Sequence, residues 1–290
     1  MTLPPFDLHP VRSVDEAHDL LVRYGEEAAV ICGGSELLLL MKLGYADYGH
    51  LVDIRGIAEL GGIRVDDGAL VIGATTTHRE IERSAIVLEQ LPALATMERR
   101  VANIRVRSVG TLGGNLCFSD PHSDPATFLL ALDAEAEWDG GRASLAEFLV
   151  GPYQTRLQPG QLLRAVHVPL PAPGTHVVHR KLAFRERPAV TVTVALQAQE
   201  GVVAAARIAV GSVGARAVRA RAGEARLAGA AIADAVALAE AAELAAQAAE
   251  AVDDANGSAD YKTHLVRVLV ERCFREAAEA NEESSTGRQL

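Results

Sequence analysis

The stretch from Arg105 to Asp124, RVRSVGTLGGNLCFSDPHSD, constrains this chain more than any other, because it reads as neither a continuous helix nor a continuous strand. Its glycines, serines and prolines interrupt both patterns, so it is expected to be an organised loop. Asp124-Pro125 then opens a helix toward Leu132. An earlier glycine pair, Gly33-Gly34, ends the apolar run Ala28 to Cys32, a short buried-strand candidate. A helix is expected from Ser35 to Leu43, with Gly44 as its stop. Ser13 stands three residues before Glu16, the spacing of a capping box opening a helix through Val22. With a second strand at His50 to Ile54, the chain opens as a β-α unit with a glycine turn.

The pattern continues with a strand at Ala69 to Ile72, a cap at Thr75 to His78 before a short helix, and a helix around Leu91 to Ala102. Leu162 to Val168 is a strand running into Pro169-Leu-Pro-Ala-Pro-Gly174, the best linker candidate. Beyond it, Val177 to Phe184, Val190 to Ala198 and Val202 to Val210 read as antiparallel strands. Three alanine-rich helices follow at Ala217 to Leu227, Ile232 to Val252 and Asp260 to Ala277, and the tail after Asn281 is expected to fray.

Bulk properties narrow the function. A formal net charge of -10 argues against a nucleic-acid surface. The longest apolar run, Leu37 to Met41, is too short to span a bilayer, and Met1 to Pro10 has no signal-peptide pattern. A cytoplasmic protein is therefore the expectation. Cys32, Cys117 and Cys273 are far apart, so no cysteine-ligated cluster or zinc site is expected, and no metal-ligand set is read.

The two glycine segments suit an anion. Backbone N–H groups are the densest donors available to a diphosphate, and glycine lets the main chain approach without a Cβ. The first segment adds the N-terminus of the helix expected at Ser35-Glu36. Glu36 is expected to turn away and cap that helix or to meet a ligand hydroxyl. Neither segment is a Walker loop or a G-x-G-x-x-G fingerprint, and Gly33-Gly34 alone is more often a plain turn. Two such segments in one chain suggest a bridged anion.

Several residues now carry a resemblance. Cys32 to Leu37 (CGGSEL), Val52-Asp53-Ile54 with Leu60, and Ile72 to His78 (IGATTTH) are similar to segments of the flavin-bearing medium subunit of molybdenum hydroxylases, the carbon monoxide dehydrogenase and xanthine dehydrogenase group. Ile104 to Asp124 resembles that family's most specific motif, and Lys181 and Tyr261-Lys262 extend the likeness toward the C-terminus. The resemblance implies an α+β fold: a two-subdomain FAD-binding domain of the vanillyl-alcohol-oxidase-like kind, divided at 1–55 and 56–173, then an α+β domain with antiparallel sheet and helices at 174–280. Residues 281–290 would be a flexible tail.

It also implies an FAD on this chain, with two [2Fe-2S] clusters on a small partner subunit and a molybdenum cofactor on a large one, in a dimer of heterotrimers. Electrons would leave to a quinone, NAD or another external acceptor, with peripheral attachment to the inner face of the membrane as one option. By the same resemblance, Ile31, Cys32, Gly33, Gly34, Ser35, Glu36 and Leu37, with Gly110, Thr111, Leu112, Gly113, Gly114 and Asn115, would wrap the diphosphate and ribityl chain. Thr76 and His78 belong to the same expected site. Asp124 would accept hydrogen bonds from FAD hydroxyls, Leu163 would lie against the cofactor, and Lys181 would approach the polar edge of the flavin. His78 has an alternative reading as a helix cap. Where the family often places an aromatic residue after the lysine, this chain has Arg187-Pro188-Ala189-Val190. Two other functions stay open: a free-standing flavin oxidase or reductase, and a non-enzymatic assembly subunit.

Overall fold

A computed structural model describes residues 2–184 and 187–286. Two compact units emerge. The first comprises the chain up to Phe118 with Glu135–Val150 and Gln154–Val168; the second comprises Ser119–Ala134, Gly151–Tyr153 and the chain from Pro169 onward. Ser119–Ala134, expected to lie in the FAD-binding half, groups instead with the C-terminal chain. The reason is the helix Asp124–Ala131, every residue of which is buried. It packs on the strands Pro188–Gln199 and Val202–Gly211, where Thr127 Oγ1 meets Thr191 Oγ1 at 3.0 Å.

The first unit holds two sheets. In the three-stranded one, His50–Asp53 lies between Asp7–Pro10 and Ala28–Ile31, all parallel. The helix Val14–Tyr24 covers it, burying Val14 and Ala17 against Val11, Val52, Ile54 and Leu60. Ser13 caps this helix through Glu16 N, but the Glu16 carboxylate accepts from Arg12 N at 2.7 Å, one residue short of the expected box. The helix after Gly34 begins at Leu37, two residues later than expected, and ends at Gly44 in the left-handed region (φ 79°). The five-stranded sheet runs in the order Ile63–Asp66, Ala69–Gly73, Leu163–Pro169, Glu135–Trp138, Gly141–Ser144.

The segment expected as one loop is instead two short helices, Ile104–Arg107 and Leu112–Phe118. Asn103 Oδ1 caps the first by accepting from Arg105 N and Val106 N, and Thr111 Oγ1 accepts from Gly114 N at 3.1 Å in the second. Glycine costs about 1 kcal/mol against alanine inside a helix. Packing offsets that here, because a Cβ on Gly113 would stand 2.5 Å from Ala74 O.

The second unit has an antiparallel sheet of Thr175–Ala183, Pro188–Gln199, Val202–Gly211 and Val218–Arg219. That last short strand pairs with Ala209 and Val210, so the helix expected from Ala217 starts only at Arg221. The helices Ala235–Ala248 and Ala259–Thr286 join the sheet in a core of valine, alanine and leucine closed by Phe274. The last helix passes the point expected to fray. Asn281 donates from Nδ2 to Gly174 O and Ala198 O at 3.3 and 3.4 Å, which ties that turn down. The remainder of the expected tail, from 287, lies outside the described residues. No helix among the described residues is long and apolar enough to cross a membrane.

Candidate functional site

In the first unit the two glycine segments lie backbone against backbone. A Cβ on Gly33 would stand 2.3 Å from Val109 O and 2.7 Å from Gly110 Cα, closer than real Cβ contacts come. Gly34 follows with φ 70°, a turn that suits glycine. The chain from Ile31 through Cys32 can thus swing into Ser35 and Glu36 while touching the second segment. Ser35 Oγ is buried and has no hydrogen-bond partner among the described residues; it lies 3.4 Å from where a Gly110 Cβ would be.

The IGATTTH stretch aligns the second segment. Thr77 and Thr111 form an antiparallel bridge, His78 N donates to Gly110 O, Leu112 N to Thr76 O and Gly113 N to Ala74 O, each near 3.0 Å. Thr76 is therefore a docking residue, its hydroxyl donating to Gly62 O at 3.1 Å. Leu112 is fully buried and Asn115 N donates to Thr111 O, while Leu37 packs with the apolar cluster around Met41 and Leu51. Glu36 occupies the cap position of its helix without a side-chain capping bond, contrary to one expectation for it.

Burial pushes the Cys32 thiol up, only partly offset by its hydrogen bond with Thr111, and burial pushes Cys117 up to about 12. Both are thiols that pack. The Arg107 guanidinium is taken up within the protein, donating to the Glu82 carboxylate at 3.2 Å and to Val101 O at 3.0 Å. A cradle with no room for a Cβ and a buried hydroxyl without a protein partner fit a phosphate-bearing ligand such as the FAD diphosphate.

His78 is not the helix cap that one reading made it. Thr77 is the cap, completing a capping box with Glu80, and His78 opens the helix His78–Arg83. Its ring is 3% exposed and its Nδ1 lies 2.7 Å from Glu98 Oε2, which is 0% exposed. The ring's Cδ2 lies 3.3 Å from the position a Gly110 Cβ would take, so this buried pair borders the glycine cradle. Glu98 was missed. It ends the helix Pro92–Glu98, twenty residues from His78, and no local pattern links the two.

Leu163 is buried in the first unit's larger sheet, where it pairs with Trp138. Asp124 and Lys181 both belong to the second unit, and Lys181 Nζ donates to Asp124 Oδ2. His179, two residues before the lysine and so on the same face of its strand, places Nε2 3.7 Å from Asp124 Oδ1. His179 was also missed, although its spacing from Lys181 in a strand was a usable signal. Burial would raise the Asp124 carboxyl; the His179 ring and the Lys181 ammonium more than reverse this and hold it below the usual carboxylate range. His179 Nδ1 meets Thr193 Oγ1 at 2.8 Å, which fixes the ring. Arg187, which opens the 187–190 stretch, pairs with Asp120 at 2.6 Å.

A parallel sheet with a glycine cradle, followed by an antiparallel sheet backed by helices, defines a nucleotide-cofactor protein with a second, helix-covered unit. A profile described as the FAD binding domain in molybdopterin dehydrogenase matches residues 4–171, and one described as the CO dehydrogenase flavoprotein C-terminal domain matches residues 181–277. The chain belongs to the FAD-binding medium subunits of the molybdenum hydroxylases, a family of oxidoreductases. The carbon monoxide dehydrogenase medium chain of Hydrogenophaga pseudoflava is 34% identical over 287 residues, covering 96% of this chain and 98% of that one. The 6-hydroxypseudooxynicotine dehydrogenase complex subunit alpha of Paenarthrobacter nicotinovorans is 30% identical, covering 96% of each. Among solved structures, quinoline 2-oxidoreductase from Pseudomonas putida 86 superposes with a TM-score of 0.91 at 31% identity, over 97% of this chain and 99% of that one.

Proposed function

We propose that this chain is the FAD-carrying electron-transfer subunit of a molybdenum hydroxylase-type complex, taking electrons from [2Fe-2S] clusters of a small partner subunit and delivering them to an external acceptor. A large partner subunit would carry the molybdenum cofactor and choose the substrate, in a dimer of heterotrimers. The observation that carries the reading is the backbone-on-backbone glycine cradle with the orphaned Ser35 hydroxyl. FAD, when bound, supplies the exchange between two-electron and one-electron chemistry that such a relay needs.

The chain's own residues have three jobs. Gly33 and Gly34 let main-chain donors of the first segment close on a diphosphate, Gly110 and Gly113 let the second segment seat against the first and against Ala74, and Ser35 Oγ supplies a further donor. His78, held by Glu98, keeps the edge of that cradle in one orientation. In the second unit, Asp124 stays ionised to accept from ligand hydroxyls, and Lys181 supplies a cation that favours anionic ligand states. Relatives whose names carry carbon monoxide, an oxynicotine and quinoline resemble this chain to similar extents, which fits a relay whose substrate is selected elsewhere.

The test is purification from the native host with subunit identification and flavin, iron and molybdenum analysis. A yellow complex with two further subunits and stoichiometric flavin is expected. Recovery of the chain alone and colourless would sink the proposal.

A further inference from the structure

We infer that Asp7, His9 and His50 form a surface site for one divalent transition-metal ion of the zinc, cobalt or nickel type. The site follows from strand geometry. Asp7 and His9 are two residues apart on the strand Asp7–Pro10, so their side chains leave the same face. In the parallel pairing with His50–Asp53, Asp7 stands directly across from His50. One carboxylate and two imidazoles from adjacent strands thereby converge, with ligand atoms all within 4.8 Å of one another.

The distances suit a shared ion. His9 Nε2 and His50 Nδ1 are 3.1 Å apart, and Asp7 Oδ2 is 3.7 Å from His50 Nδ1. Two nitrogens bound to one tetrahedral zinc at 2.0–2.1 Å lie roughly 3.3 Å apart. The His9–His50 gap is therefore already close to a ligand–ligand separation, and Asp7, the exposed member, has freedom to close on an ion. Nitrogen and carboxylate ligands with water completing the set select borderline divalent ions over calcium or magnesium.

The rings are also held in place beforehand. Tyr24 stacks on His50 with centroids 3.7 Å apart and on His9 at 5.3 Å, so one aromatic face orients both imidazoles. The ion would join the sheet's edge strand Asp7–Pro10 to its central strand, adding a cross-link beside the backbone ladder. The sequence concealed this site, because His50 is forty-one residues from His9 and only the parallel register brings them together.

Titration of the full chain, freed of any affinity tag, with Co2+ followed by visible absorption tests the site, with Zn2+ as competitor. We expect one Co2+ per chain, displaced by Zn2+, and a thermal midpoint raised by Zn2+. His50→Ala and His9→Ala should each weaken binding by about tenfold or more, since even groups one shell out cost that much. Asp7→Asn, at an exposed side chain, keeps the fold and should weaken binding less. If His50→Ala does not fold, the other two variants decide. Absence of a saturable Co2+ band, or Co2+ binding and a Zn2+-induced rise in midpoint that are undiminished in His9→Ala and Asp7→Asn, would overturn the inference.

Discussion

The two units handle charge in opposite ways. The first builds its candidate site from main chain, with glycines pressed onto carbonyl oxygens and one serine hydroxyl left without a partner among the described residues. The second builds its charged cluster from side chains: an aspartate that is 6% exposed, a lysine and a histidine, anchored through Thr193. A backbone cradle fails when an atom is added, whereas a buried charge cluster fails when one is removed. The same kind of substitution should therefore do different things in the two places.

The largest loss of stability is expected at the edge of the cradle. Glu98→Ala leaves the buried His78 ring without its hydrogen-bond partner, and leaving a buried polar group unsatisfied costs about 1–3 kcal/mol, here toward the upper end with the cavity added. Urea unfolding would measure it; a loss under about 1 kcal/mol would mean that the pair does not hold the cradle's edge. Gly33→Ala comes next, at about 2 kcal/mol, because its Cβ meets backbone that cannot move aside as a side chain can. Here the flavin content should fall further than the stability does.

The second unit's cluster predicts a pH signature. The folded-state pKa of Asp124 is depressed, so its contribution to stability is fully present above the ordinary carboxylate range near 4 and is lost as pH falls through the lower folded value. Asp124→Asn should lower stability at neutral pH and flatten the acid limb of the stability profile. An unchanged acid limb would show that the carboxylate is not held by His179 and Lys181. The smallest effect on stability belongs to Ser35→Ala, within about 0.5 kcal/mol, since no protein hydrogen bond is lost. Its effect should appear in FAD affinity, weaker by about five- to tenfold for one hydrogen bond of about 1 kcal/mol.

Much of this was legible before any coordinates. Short apolar runs bounded by glycine placed the strands Ala28–Ile31 and His50–Asp53, and the three strand-like runs beyond Gly174 match the three long strands of the second unit. The glycine segments stood out in the sequence, but their conformation did not. Leu112–Phe118 is a helix capped locally by Thr111, and it holds glycine at 113 because packing against Ala74 leaves no room for a Cβ, a condition that comes from tertiary contact. Glu98 and the Asp7–His9–His50 cluster stayed hidden because their partners meet only through packing or strand register. The placement of Ser119–Ala134 with the C-terminal chain was equally invisible, since local sequence does not say which sheet a buried helix will cover.

The flavin-to-protein ratio of purified Gly33→Ala, set against Gly49→Ala, tests the central claim most directly. A Cβ on Gly49 meets nothing within 4 Å, whereas one on Gly33 meets Val109 O. The account predicts full flavin in Gly49→Ala and little or none in folded Gly33→Ala. Equal, undiminished flavin in both would contradict a diphosphate held by the two glycine segments.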